Sequence, residues 1–252
     1  MMGMNNPPSP WGENAPEPLL DLCARHIACN PLTFCDHTSE PDYWFWTLKP
    51  NIVLPSEICE KLICIWQDIG SQKLDNRFIE IFRDLNSTRL KRAMLKGSNV
   101  TDDGVKLLLN HNLVELDISV CQNLTENTLE YINDKGGNLL SLVVGQKTDI
   151  FPDLKDCDDK ENIIAVMEEQ GYVLKTPFLR RLVIRDLQMD PDFFFILLKP
   201  LHKLSHLDLS GCSSLDDLSC IKHLSNLVFL NLHNAQHKQD AIDSIITLKN
   251  LR

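Results

Sequence analysis

Two spacing rules for apolar residues divide this chain, and the change falls near residue 88. Before it, apolar side chains recur at three- and four-residue steps, the period that gathers them on one face of a helix. Leu19, Leu22, Cys23 and Ile27 form the first such set, with Pro18 suited to a first helical turn. Ile58, Leu62, Ile65, Trp66 and Ile69 form the second, after Pro55, and Phe78, Ile79, Ile81, Phe82 and Leu85 the third. Between the first two lies the aromatic run Tyr43-Trp44-Phe45-Trp46, which lacks the neighbouring basic residues that base stacking would want and is expected to pack the helices together. Residues 1–16 are rich in Pro, Asn and Gly, lack periodicity and read as a disordered tail. The expectation for 17–87 is a small helical module.

From Leu90 the period changes. Leu-x-x-Leu-x-Leu, with an aliphatic allowed at its last position, recurs from Leu113, Leu179, Leu204 and Leu227, with weaker copies from Leu90 and Leu139 and a further start at Leu251. The starts are 23, 26, 40, 25, 23 and 24 residues apart, and all but one fit the roughly 20–29 residues of a leucine-rich repeat. Cys121 and Cys212 fall eight residues after their starts, where such repeats use Asn or Cys to satisfy turn backbone. The segments Asp102–Asn110 and Thr125–Asn133 are expected to be helices on the outer side. One strand-plus-helix unit cannot bury its own leucines, so units stack and share a core. The fold class is therefore α/β: an open leucine-rich-repeat horseshoe over 88–252 with a parallel sheet on its concave face, preceded by the helical module.

Because side chains alternate along a strand, the residues between the leucines face outward on the concave side. These are Arg92, Met94 and Lys96; Glu115, Asp117 and Ser119; Arg181, Val183 and Arg185; His206, Asp208 and Ser210; and Phe229, Asn231 and His233. The partner contacts expected among them are Arg181, Arg185, His206, Asp208, Phe229, Asn231 and His233. The 40-residue gap holds an insertion at about 146–177, expected to loop out of the solenoid, with eight acids between Asp149 and Glu169 against Lys155 and Lys160.

Composition and charge narrow the function. A formal charge of −10 disfavours a nucleic-acid partner, whose backbone needs excess Lys and Arg on a face. No stretch reaches the roughly 18 apolar residues of a membrane helix, so a cytosolic or nuclear location and no membrane partner are expected. The nine cysteines, irregularly spaced, then read as reduced thiols, mostly buried. His206-x-Asp208-x-Ser210 puts three triad-type residues on one face. Alternate strand residues, however, stand about 6.5–7 Å apart, beyond the reach that nucleophile activation requires. Cys29, Cys35 and His37 lack the paired spacing of a zinc site. No catalytic residue, metal or cofactor is expected.

Two motifs in the helical module carry a resemblance. Pro18-Leu19-Leu20-Asp21-Leu22-Cys23-Ala24-Arg25-His26-Ile27 resembles the elongin-binding box of ubiquitin-ligase substrate receptors, with Leu19, Cys23 and Ile27 as a narrow stripe at four-residue steps. Leu54-Pro55-Ser56-Glu57-Ile58-Cys59-Glu60-Lys61-Leu62 looks like the Cullin-2 box, through Leu54, Pro55, Ile58 and Leu62. Both boxes ahead of leucine-rich repeats are similar to the Zyg-eleven/Zer-one family of Cullin-2 substrate receptors, nearest its Zer-one branch. The resemblance implies an adaptor that joins a protein substrate to elongin C (with elongin B), Cullin-2 and a RING subunit. It also implies an armadillo-like domain, after the repeats, that grips substrates exposing an N-terminal glycine. The sequence ends at Arg252, inside a repeat, so it reads as a fragment or a truncated product of such a receptor. The rival expectation is a cytosolic repeat scaffold with no ligase role, in which the N-terminal helices merely cap the solenoid.

Overall fold

A computed structural model describes residues 18–40, 43–69, 74–146, 148, 150–151, 173–188, 191–213, 215, 218–235 and 241–252. The N-terminal part comprises α1 (Leu19–Cys29), a short α2 (Pro31–Phe34), β1 (Cys35–Glu40), β2 (Tyr43–Leu48), α3 (Ser56–Ile69), a one-turn α4 (Asn76–Ile79) and a 3-10 turn, Glu80–Phe82. Six parallel strands follow in chain order: β3 (Arg92–Met94), β4 (Glu115–Asp117), β5 (Ser141–Gly145), β6 (Arg181–Arg185), β7 (His206–Asp208) and β8 (Phe229–Asn231). On the other side of the core lie α5 (Asp102–Leu109), α6 (Asn127–Lys135), α7 (Pro191–Leu198), a 3-10 turn (Ser219–His223) and α8 (Ala241–Ile246).

The register is that of a solenoid. Ala93, Leu116, Leu142, Leu182, Leu207 and Leu230 stand side by side across the sheet, each at the fourth position of its repeat. All but Leu230 are buried, and so are the flanking Leu90, Leu95, Leu113, Ile118, Leu139, Val144, Leu179, Ile184, Leu204 and Leu209. Every strand but β5 then ends in the same tight turn. The seventh residue after the repeat start has positive φ in five of the six: Gly97 (74°), Val120 (62°), Asp186 (53°), Gly211 (73°) and Asn234 (55°). Gly, Asn and Asp tolerate this left-handed conformation, whereas the β-branched Val120 is strained in it.

Past the turn, a side chain reaches back to the preceding strand. The Cys121 thiol donates to the Leu95 carbonyl (3.1 Å) and that of Cys212 to the Ile184 carbonyl (3.2 Å). Burial pushes both thiols' pKa up, which keeps them protonated donors. Thr148 does the same work for the intervening repeat, its Oγ1 donating to the Ile118 carbonyl at 2.9 Å and accepting from Cys121 N at 3.1 Å. On the outer side Asp102 accepts from Thr125 N and Oγ1 (2.9 and 2.7 Å). Asn133 likewise accepts from Lys175 N (2.6 Å) and donates to the Val173 carbonyl (2.8 Å).

Three expectations change. First, the aromatic run packs on α4 and the 3-10 turn as expected, but as a strand. It is β2, paired antiparallel with β1, so that alternation sends Trp44 and Trp46 to one face, where His37 stacks on Trp44 at 5.0 Å. Second, the third helical pattern is one α-turn followed by one 3-10 turn. Leu85 is exposed, because the Asp84 carboxylate accepts from Asn86 N (2.9 Å) and the Ser87 hydroxyl, turning the chain. Third, the insertion is narrower than 146–177. Thr148, Ile150, Leu174 and Thr176 are buried and Phe151 packs on Phe193 (5.4 Å), so both ends belong to the core. Most of the acidic stretch lies outside the described residues.

Two stability measurements check this. Ile150→Ala, which leaves a cavity, should cost about 2–5 kcal/mol by denaturant melt, with Lys175→Ala near neutral; equal melts would return Ile150 to a loop. Val120→Asn should stabilise by about 0.5–1 kcal/mol through relief of left-handed strain. A loss instead would mean that the side chain packs better than its backbone suits it.

Candidate docking surfaces

The first motif stands open. Helix α1 packs on α3 through Ala24 and Ala28, small side chains that let the two backbones approach, and Asp21 pairs with Lys61 across the contact. The opposite face is left to solvent. Leu19 is 75% exposed and Leu22 48%, Cys23 and His26 are exposed, and Ile27 is half-buried against the core. Leu22 thus belongs to the stripe, which its place in the first helical pattern had marked and the four-residue box spacing had hidden.

The second motif is largely closed. Leu54, Ile58 and Leu62 are core residues, and Leu54 forms a parallel bridge with Thr88, its N–H donating to the Ser87 carbonyl at 2.8 Å. Of the four residues assigned to Cullin-2, only Pro55 is exposed, together with the neighbouring Val53 and Glu57. The correction has a physical cause, since α3 covers the free edge of β3. Lys91 N donates to Glu60 Oε1 (3.2 Å), Arg92 pairs with Glu60 Oε2 (2.9 Å) and Gln67 Nε2 donates to the Met94 carbonyl (2.9 Å). Its apolar face must then fill the end of the solenoid.

The concave face carries the expected residues with two exceptions. Val183 is buried, walled in by neighbouring strands, and Asp208 is nearly so. The Asp208 carboxylate accepts from Arg185 Nε (3.0 Å), Ser210 N (3.0 Å) and Asn231 Nδ2 (3.1 Å). Burial alone would raise its pKa, but the Arg185 and Ser210 bonds outweigh it and hold the carboxyl below the usual carboxylate range. His206 stacks on Phe229 (5.9 Å between ring centres) and its Nδ1 meets Ser205 Oγ (2.9 Å). Asp208 therefore orients an arginine and a turn, not the histidine beside it. Arg181, Arg185, Phe229 and His233 are exposed and Asn231 half-buried. Among the described residues no group of three His, Cys, Asp or Glu stands close enough to hold a metal ion, and no helix is long and apolar enough to cross a membrane.

Removing the Asp208 acceptor should be costly. Asp208→Ala leaves three donors short of a partner and is expected to lower stability by about 1–3 kcal/mol in a thermal melt. His206→Ala at the exposed neighbouring position is expected to change it little. A neutral Asp208→Ala would remove this network as a fold determinant.

Comparison with known proteins agrees with the repeat reading. The family model described as Zer-1-like, leucine-rich repeats, matches residues 195–252. The chain is 29% identical over 199 residues to the protein zer-1 homolog of Drosophila melanogaster, covering 77% of this chain and 24% of that one. It is 29% identical over 214 residues to the Homo sapiens protein zer-1 homolog, covering 81% and 28% respectively. The chain thus spans about a quarter of the length of these relatives. Among solved structures, an internalin C2 from Listeria monocytogenes is 16% identical with a TM-score of 0.46, covering 94% of this chain and 91% of that one. Human 5T4 is 20% identical with a TM-score of 0.41, covering 82% and 66%. The parallel register defines the leucine-rich-repeat fold by itself, and the sequence relatives add a likeness: the repeats of this chain are similar to those of Zer-1-like proteins.

Proposed function

We propose that this leucine-rich-repeat protein is a non-catalytic substrate-recognition adaptor of a Cullin-2 RING ubiquitin ligase. It seats elongin C (with elongin B) on α1, meets Cullin-2 beside it, and presents the concave face to a protein. The observation that carries the reading is the outer face of α1. A helix that merely capped the solenoid would turn its leucines inward. This one turns alanines inward and leaves Leu19, Leu22 and Cys23 to water, a cost that docking an amphipathic helix in a groove removes. Cullin-2 is met through the exposed Val53, Pro55 and Glu57, with Leu54, Ile58 and Leu62 holding that segment in place from the core. Selection of substrates by an N-terminal glycine is proposed for the whole protein, on the armadillo-like domain that the resemblance implies.

The plain scaffold remains the second reading, and the burial of Leu54, Ile58 and Leu62 favours it, because a cap alone would need those residues. Binding to purified elongin B/C decides between them. Burying a leucine-sized side chain is worth about 1.5–3 kcal/mol, so Leu19→Ala should weaken elongin binding by about one to two orders of magnitude. Its thermal melt should not move, since the side chain touches little in the free chain. Val53→Asp should weaken Cullin-2 association and spare elongin. Intact elongin affinity in Leu19→Ala would leave the scaffold as the account of the chain.

A further inference from the structure

The outward row at the first position of each strand reads Arg92, Glu115, Ser141, Arg181, His206 and Phe229 across β3 to β8. Its cations are not equivalent. Arg92 is neutralised by Glu60, and in the row behind, Arg185 is neutralised by Asp208. Arg181 donates to the neutral Ser141 hydroxyl (3.1 Å), and no carboxylate among the described residues lies within ion-pair distance of it. An exposed arginine with no carboxylate partner among the described residues leaves a local positive charge in a chain of net charge −10. Two strands away the same row ends in Phe229, 45% exposed and lying nearly parallel to the His206 ring (25°). Between them the floor is Val183, apolar, and Asp208, whose charge is offset by Arg185.

We infer that strands β6 to β8 bind an acidic peptide in extended form, laid across the strands, with a carboxylate on Arg181 and an apolar side chain on the Phe229–His206 pair. The guanidinium fork suits a carboxylate in two parallel hydrogen bonds, and the open aromatic supplies an apolar anchor. Geometry sets the spacing. Neighbouring strands are about 4.8 Å apart, so the Arg181 and Phe229 positions are separated by about 9.6 Å. A peptide extended in the polyproline-II form advances about 3.1 Å per residue and returns to the same face every third residue, so the anchor and the acid stand about three residues apart. The recognised pattern is an aromatic or aliphatic residue, two free positions and Asp or Glu, in one of its two directions. This surface is separate from α1, so the inference does not rest on elongin docking.

The test is fluorescence anisotropy of labelled Gly/Ser peptides carrying one Phe and one Glu at separations of one to five residues, in both orders, titrated with the full chain. Binding should peak at a separation of three in one order and weaken with salt. Arg181→Glu should lower affinity at least about tenfold, the loss of one charge-assisted pair, and Arg181→Lys should retain part of it. Phe229→Ala should abolish the preference for Phe over Gly, while Lys96→Glu, at the far end of the face, should change nothing. Both key residues are exposed, and a thermal melt of each variant accompanies the titration. No binding at millimolar protein, no dependence on separation, or indifference to both Arg181→Glu and Phe229→Ala would each overturn the inference. Elongin C binding measured on the same samples tells this failure from that of the adaptor reading: neither Arg181→Glu nor Phe229→Ala should move it.

Discussion

The free edge of β3 governs how the N-terminal half of this protein is built. A parallel sheet must end somewhere, and its first strand would otherwise offer unpaired backbone groups to any other strand. Helix α3 closes that edge with side chains. Glu60 receives Lys91 N–H and Gln67 donates to the Met94 carbonyl. The match is metric: seven residues of helix rise about 10.5 Å and three residues of strand about 10 Å. With its polar face committed to the edge, α3 has to turn Ile58, Leu62 and Ile63 into the core. Helix α1 can then lie only on what remains of α3, through Ala24, Ala28 and the Asp21–Lys61 pair, and its leucines are left outside.

Further along, one turn design repeats with substitutions that chemistry allows. Every strand but β5 leaves through a described left-handed residue, and the side chain that reaches back is Cys, Thr or Cys in three of the repeats. A thiol and a hydroxyl serve alike because each donates one hydrogen bond to a carbonyl and has little bulk. Val120 breaks the rule for the turn, and nothing in the structure explains the choice of a β-branched residue there.

The solenoid was legible because its signal is redundant. Leucines at fixed offsets over several repeats survive any one exception, such as Ala93 in place of a leucine, and the cysteines at the eighth following position predicted the thiol contacts. What escaped had no redundancy. Tyr43-Trp44-Phe45-Trp46 is apolar at every position, so the alternation that marks a strand was absent, and the antiparallel partner Cys35–Glu40 is polar enough to pass for a loop. Thr148 escaped because it sits one residue late, inside a gap attributed wholly to an insertion. The Leu54–Leu62 motif was read for its spacing alone. Spacing says which residues share a face of α3 but not whether that face meets a partner or the core, and the demand of the β3 edge settles it for the core.

The same edge sets the distance between the two surfaces. The α1 stripe lies beyond β3, whereas Arg181 and Phe229 lie on β6 and β8, with the intervening strands stacked in unbroken register. Five strand intervals amount to about 24 Å from β3 to β8. A stack of repeats sharing one core resists bending, because each unit is held by its neighbours on both sides and none can move without opening the core. In the proposed reading, a protein on the concave face would therefore sit at a set offset from a partner on α1. That separation is what the adaptor proposed above would need, because its two partners would be kept apart by the repeat stack between them.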